Sequence, residues 1–92
     1  MRVIEKEMIK AIMYGRNWQK DNTSVRIVNG DAEVYLHGHH IATAKECLPL
    51  ELVVNVDTLR DWPTVTTKSR LRALGANVYT KRGVTYLNEE RV

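Results

Sequence analysis

The sequence predicts an α+β fold: an N-terminal helix, an antiparallel β-meander, a second helix and a C-terminal β-hairpin. Three observations carry this. Apolar residues recur at helical spacing over Val3 to Tyr14 and again between Thr64 and Leu74. Between those runs the period falls to two, and Asn29-Gly30 interrupts it with a strong hairpin signal. After Gly75 the alternation resumes on both sides of Lys81-Arg82-Gly83. Helices separated in this way from a run of strands cover one face of an antiparallel sheet.

Each element has its own reason. In the first helix Ile4, Met8, Ala11 and Ile12 form one apolar stripe, with Glu5, Lys6 and Lys10 expected on the solvent side. Gly15 is placed to cap it. RNWQKDN reads as a polar connector in which Trp18 is the candidate for burial. In TSVRIV, Val25 and Ile27 share one face of a strand, and Arg26 and Val28 the other. AEVYLH returns from the Asn29-Gly30 turn.

YLHGHHIATA then packs three histidines around one glycine. Gly38-His39 reads as a two-residue turn, because glycine suits the first central position of a type II′ turn. That places Leu36 opposite Ile41 and His37 opposite His40. A strand running straight through, with Gly38 as a bulge, instead puts His37 and His39 on one face. The turn is preferred, since it gathers Val34, Leu36 and Ile41 on one face. A loop with Cys47 and Pro49 leads to LELVVNV, a strand in which Leu52, Val54 and Val56 alternate. DTLRDWP is a turn or short helical piece ended by Pro63. Thr64 or Thr66 caps the next helix. Thr67, Leu71 and Leu74 form its buried stripe, Lys68, Arg70 and Arg72 its exposed side, and Gly75 its stop. The tail EERV is expected to fray.

At 92 residues, the chain is expected to be a single domain over 1–92. A hydrophobic content of 43% is enough for a core. There is no Phe, so Trp18, Trp62 and the four tyrosines supply the aromatic bulk. A core of this size gives a stability of roughly 3–5 kcal/mol, for which homo-oligomerisation is a common remedy. The single cysteine, Cys47, forms no internal disulfide and suggests a reducing compartment. No stretch approaches the ~18 apolar residues of a membrane span. The N-terminus carries Glu and Lys where a signal peptide is apolar. A cytoplasmic protein is expected. The formal charge of +3 permits nucleic-acid binding without requiring it.

DNTSV, VYLHGHHIA, WPTVTTKSRLRALGANV and KRGVTYLN together resemble a family of small uncharacterised bacteriophage proteins. The recurring elements there are an Asn-Thr-x-Val strand, a Leu-His-Gly-x-x-Ile-Ala turn and a Thr-Thr-x-Ser-Arg-Leu-x-Ala-Leu helix. The resemblance covers Asn22 to Asn88 and implies a gene product that acts in the cytoplasm of an infected bacterium. It implies no activity, cofactor or catalytic residue.

Two constellations merit a functional reading. Within the cluster of His37, His39 and His40, His37 and His40 across the turn could supply two metal ligands, with Cys47 as a third, or an acid–base pair. Zinc takes three or four converging donors, and no HExxH or CxxC spacing supports one. Catalysis asks for an oriented nucleophile or oxyanion donors, and no Gly-x-Ser-x-Gly element is present. The plain reading is a hairpin end with polar imidazoles, leaving the histidines as a secondary partner contact. TTKSRLR is the stronger candidate. A helix N-terminus attracts anions, and Thr67, Lys68, Ser69, Arg70 and Arg72 add donors and charge, with Lys81 and Arg82 in the following loop. The expectation is a non-enzymatic accessory protein, without cofactor or metal, that docks on an acidic host protein through these residues. The alternative is nucleic-acid or nucleotide binding, because a helix followed by a basic hairpin resembles a winged helix.

Overall fold

The computed structural model describes residues 2–45 and 51–92 of the chain. The loop read with Cys47 and Pro49 lies outside the described residues. Helix α1 (Val3–Met13) opens the chain, and strands β1 (Trp18–Lys20), β2 (Thr23–Val28), β3 (Asp31–Leu36), β4 (His39–Lys45) and β5 (Glu51–Val54) follow. Helices α2 (Val56–Asp61) and α3 (Val65–Ala73) come next, then β6 (Val78–Lys81), β7 (Val84–Leu87) and β8 (Glu90–Arg91). The first five strands form one antiparallel sheet in chain order, and the last three form a second. This is the α+β order the sequence predicts, with more strands than it announced.

The predicted stripes build the core. Met8 and Ala11 of α1 are buried, as are Val25, Ala32, Val34 and Leu36 of β2 and β3. Ile41, Ala42 and Ala44 join them from β4, Leu59 from α2, Leu71 from α3 and Val78 from β6. These residues form one cluster to which both sheets and all three helices contribute, and α3 contacts strands of both sheets. Gly15, with φ +62°, ends α1 as predicted. Its N–H donates to Ile12 O and the Arg16 N–H to Ala11 O, the paired bonds of a Schellman cap. Gly75 ends α3 with the same pair of bonds, to Arg72 O and from Ala76 N–H to Leu71 O. Thr64, rather than Thr66, is the N-cap of α3, accepting from the Thr67 N–H at 3.1 Å. Asn55 caps α2 in the same way through Thr58 N–H at 3.2 Å.

Several expectations are corrected. The polar connector contains a strand, because Trp18, Gln19 and Lys20 pair with Val25, Ser24 and Thr23. Val56 belongs to α2, since the Asn55 cap turns the chain before the alternation is complete. The tail does not fray: Arg91 pairs with Tyr86 and Glu90 with Leu87, and the Val92 N–H donates to Thr85 O at 3.0 Å. The histidine turn lies one residue earlier than predicted. His37 and Gly38 have φ of +52° and +79°, and Leu36 pairs with His39. Both central residues are therefore left-handed, as a type I′ turn requires, and glycine occupies the second position. The register shifts between Val34 and Tyr35, so that Ile41 is an extra residue and both Ile41 and Ala42 turn inward.

Candidate binding surface

The three histidines do not converge. His37 is exposed at the turn, and its N–H donates to Asn22 O at 2.7 Å. His39 stacks on Trp62, with ring centroids 4.9 Å apart and planes at 25°. His40 pairs across the strands with Tyr35, not His37, and stands on the opposite face of the sheet. There Asn55 fixes its orientation. The Asn55 Oδ1 is committed to the Thr58 N–H, so its Nδ2 is the end that meets His40 Nδ1 at 3.2 Å. The ring proton is thereby placed on Nε2, which donates to Thr43 Oγ1 at 2.7 Å. Tyr35 lies beside this ring at 5.5 Å and donates its hydroxyl to Glu33 at 2.8 Å. That bond, burial and the Glu33 charge raise the Tyr35 pKa above its ordinary value, against a smaller lowering effect from Arg26. Among the described residues, no group of three or more His, Cys, Asp or Glu side chains is arranged to hold a metal ion.

The basic helix is also rearranged. Arg70, expected on the exposed side, is buried. Its Nη1 donates to Glu5 Oε2 at 2.8 Å and its Nε to Thr23 Oγ1 at 3.0 Å. Glu5, expected in solvent, is buried with it. Ser69 Oγ donates to the same Glu5 oxygen at 2.7 Å. Burial raises the Glu5 pKa, but the bonds from Ser69, Arg70 and the Arg2 N–H, with the Arg70 charge, outweigh it and hold the carboxyl below its ordinary value. Thr67 is buried, and its hydroxyl lies 2.9 Å from that of Thr64. Lys68 Nζ donates to Thr80 Oγ1. Thr67, Ser69 and Arg70 thus hold the fold together. The winged-helix comparison weakens for the same reason: α3 turns Arg70, one of the cations its exposed face was to present, into the core.

Arg72, Lys81 and Arg82 remain exposed. Arg72 Nη1 donates to Val78 O at 3.1 Å, which holds it beside the second sheet. Lys81 and Arg82 sit at the β6–β7 turn, where Arg82 has φ +52° and Gly83 +77°. Sequence reasoning missed what lies next to them. Tyr79 and Tyr86 are cross-strand partners whose rings stack 5.2 Å apart at 13°. Lys81 lies two residues from Tyr79 and Arg91 opposite Tyr86, so both cations share the tyrosine face of the sheet. The signal was available as alternation, since Tyr79 and Lys81 are two apart, and so are Val84 and Tyr86. Placing Arg91 required knowing that the tail is a strand.

No helix among the described residues is long and apolar enough to cross a membrane. Neither the curated proteins nor the solved structures contain a match to the chain. The family model described as Kyanoviridae Gp96 protein matches residues 1–92, and the chain belongs to this family of phage proteins.

Proposed function

We propose that this phage protein is a non-enzymatic accessory module that binds a host macromolecule in the bacterial cytoplasm, with an acidic host protein as its target. The contact is made by Lys81 and Arg91 on the Tyr79–Tyr86 face, with Arg82 at the adjoining turn and Arg72 against β6. The observation that carries the reading is this grouping. Among the described residues these four cations form no salt bridge, as Lys6 and Lys10 also do not, so their place beside the tyrosines is what sets them apart. Tyrosine and arginine supply much of the affinity at protein interfaces, and unpaired positive charge steers an acidic partner into register. Against a histidine-centred enzyme stands the separation of His37, His39 and His40, which leaves acid–base chemistry without a facing pair.

The tyrosine pair favours one second reading. Single-stranded nucleic acid combines bases that stack on aromatic rings with phosphates that meet Lys and Arg. One experiment separates the two. The tagged chain is used to capture partners from host lysate with and without nuclease, beside a Lys81→Glu/Arg82→Glu variant. One stoichiometric protein that survives nuclease and is lost with the charge reversal is the expected result. Nucleic acid captured in a steeply salt-dependent way moves the second reading to the front. Capture indifferent to the charge reversal, or no capture at all, overturns both.

A further inference from the structure

Trp62 is 51% exposed although it is the largest side chain in its neighbourhood. With His39 it walls a cavity of about 160 Å³ at the end of the β3–β4 hairpin, against α2 and the start of α3. Leu36, Ile41 and Thr67 are its buried lining, and His37, Thr58 and Thr64 complete it. Among the described residues, no Asp, Glu, Lys or Arg side chain lines it.

Three features restrict the occupant. The first is size. Ligand sites for larger molecules run to roughly 300–1,000 Å³, so this cavity takes a single ring system. The second is shape. Trp62 and His39, stacked on each other at 25°, both line the cavity, and a flat ring can extend that stack. The third is polarity. Among the described residues the imidazoles of His37 and His39 and the hydroxyl of Thr58 have no side-chain hydrogen-bond partner. A pure hydrocarbon would strip water from these groups and return nothing, whereas a ring with polar edges replaces it. The described lining offers an ionic ligand no Asp, Glu, Lys or Arg partner.

We propose that this cavity binds a neutral, planar heterocycle of nucleobase size, stacked against Trp62 and hydrogen-bonded at its edges by Thr58 and the hairpin imidazoles. The site is separate from the cationic tyrosine face and stands or falls independently of it. The base can belong to a free nucleoside or to a nucleic-acid strand, since the recognising chemistry is shared.

The test is titration of the intact chain with adenosine, with a short oligoadenylate and with toluene, followed by amide and indole N–H chemical shifts. Adenosine is expected to move the Trp62 indole and the Gly38 amide saturably, and toluene to bind more weakly. Trp62→Ala, at a half-exposed position, is expected to keep the parent's dispersed amide spectrum and to abolish the Gly38 response. Thr58→Val keeps the shape and removes one hydrogen bond, and is expected to weaken binding by roughly tenfold, the equivalent of about 1.4 kcal/mol. Oligoadenylate binding tighter per base than adenosine identifies a strand as the source, and equal binding identifies a free nucleoside. Non-saturating shifts, toluene binding as well as adenosine, or a Trp62→Ala variant that responds like the parent would each overturn the proposal.

Discussion

Glu5 and Arg70 are the residues on which charge matters most to this fold. They lie on helices far apart in sequence and meet at 2.8 Å with both side chains only 4% exposed. Exposed ion pairs such as Asp57–Arg60 contribute little, because water and salt screen them. A buried pair differs: removing one partner leaves the other desolvated and alone, which costs about 3–5 kcal/mol. Glu5→Gln is therefore expected to lower stability by about that amount, read as a shift in the urea unfolding midpoint. The pH dependence follows from the same pair. The Glu5 pKa in the folded chain lies below the ordinary carboxylate value of 4.5. Its ionised form thus stabilises the fold above that value, and the contribution disappears as pH falls through the lowered pKa. Unfolding midpoints followed from about pH 7 to about pH 3 should fall more steeply in the parent than in Glu5→Gln. Parallel curves would assign the acid sensitivity to other carboxylates. This pair also has a trace in the sequence. Arg70 is three residues after Thr67 and four before Leu74, a core-facing slot, and Glu5 is three before Met8. Opposite charges in inward slots of two helices are what a buried ion pair requires.

At the scale of elements, turns decided what was legible. The helices announced themselves through periodicity and through Gly15 and Gly75, and the structure bears them out. Asn29-Gly30 was equally clear. The histidine turn differs from its expected position because glycine suits either central position of a primed turn. At Asn29-Gly30, His37-Gly38 and Arg82-Gly83 it occupies the second, and both residues of each pair have positive φ. The one-residue difference separates His37 from His40 and puts His39 beside Trp62. The last turn, Asn88-Glu89, has no glycine at all, with φ of +52° and +67°. Its strand was invisible for that reason, and with it the place of Arg91 beside the tyrosines. The turn assignment can be checked directly. A Cβ added at Gly38 meets nothing within 4 Å, so Gly38→Ala carries only a conformational penalty. The expected loss is about 1–2 kcal/mol in unfolding free energy. His37→Asn should leave stability within about 0.5 kcal/mol, because asparagine accepts the left-handed region well. A neutral Gly38→Ala would place the positive φ elsewhere.

The whole molecule depends on a core shared by two sheets that do not bond to each other. The five-stranded sheet contributes Val25, Val34 and Ile41, the second sheet Val78, and the helices Met8, Leu59 and Leu71. Among the described residues no backbone ladder couples the sheets, so their mutual stability rests on side-chain packing against the helices. Leu71, with 0% exposure, lies on the helix that contacts both β4 and β6. Truncating it removes contacts toward both sheets and leaves a cavity that close-packed neighbours fill only in part. Leu71→Ala is expected to cost about 2–5 kcal/mol. How that cost is distributed is the sharper test. If the shared cluster makes the two sheets one cooperative unit, residue-resolved amide exchange in β3 and in β7 should lose protection by the same free energy, with one unfolding transition. Were the second sheet a separately stable appendage, exchange in β7 would accelerate while β3 stayed protected. The distinction reaches the binding surface. A tyrosine face that opens independently would have to be ordered by its partner at some cost in affinity, whereas one held by the common core is presented already formed.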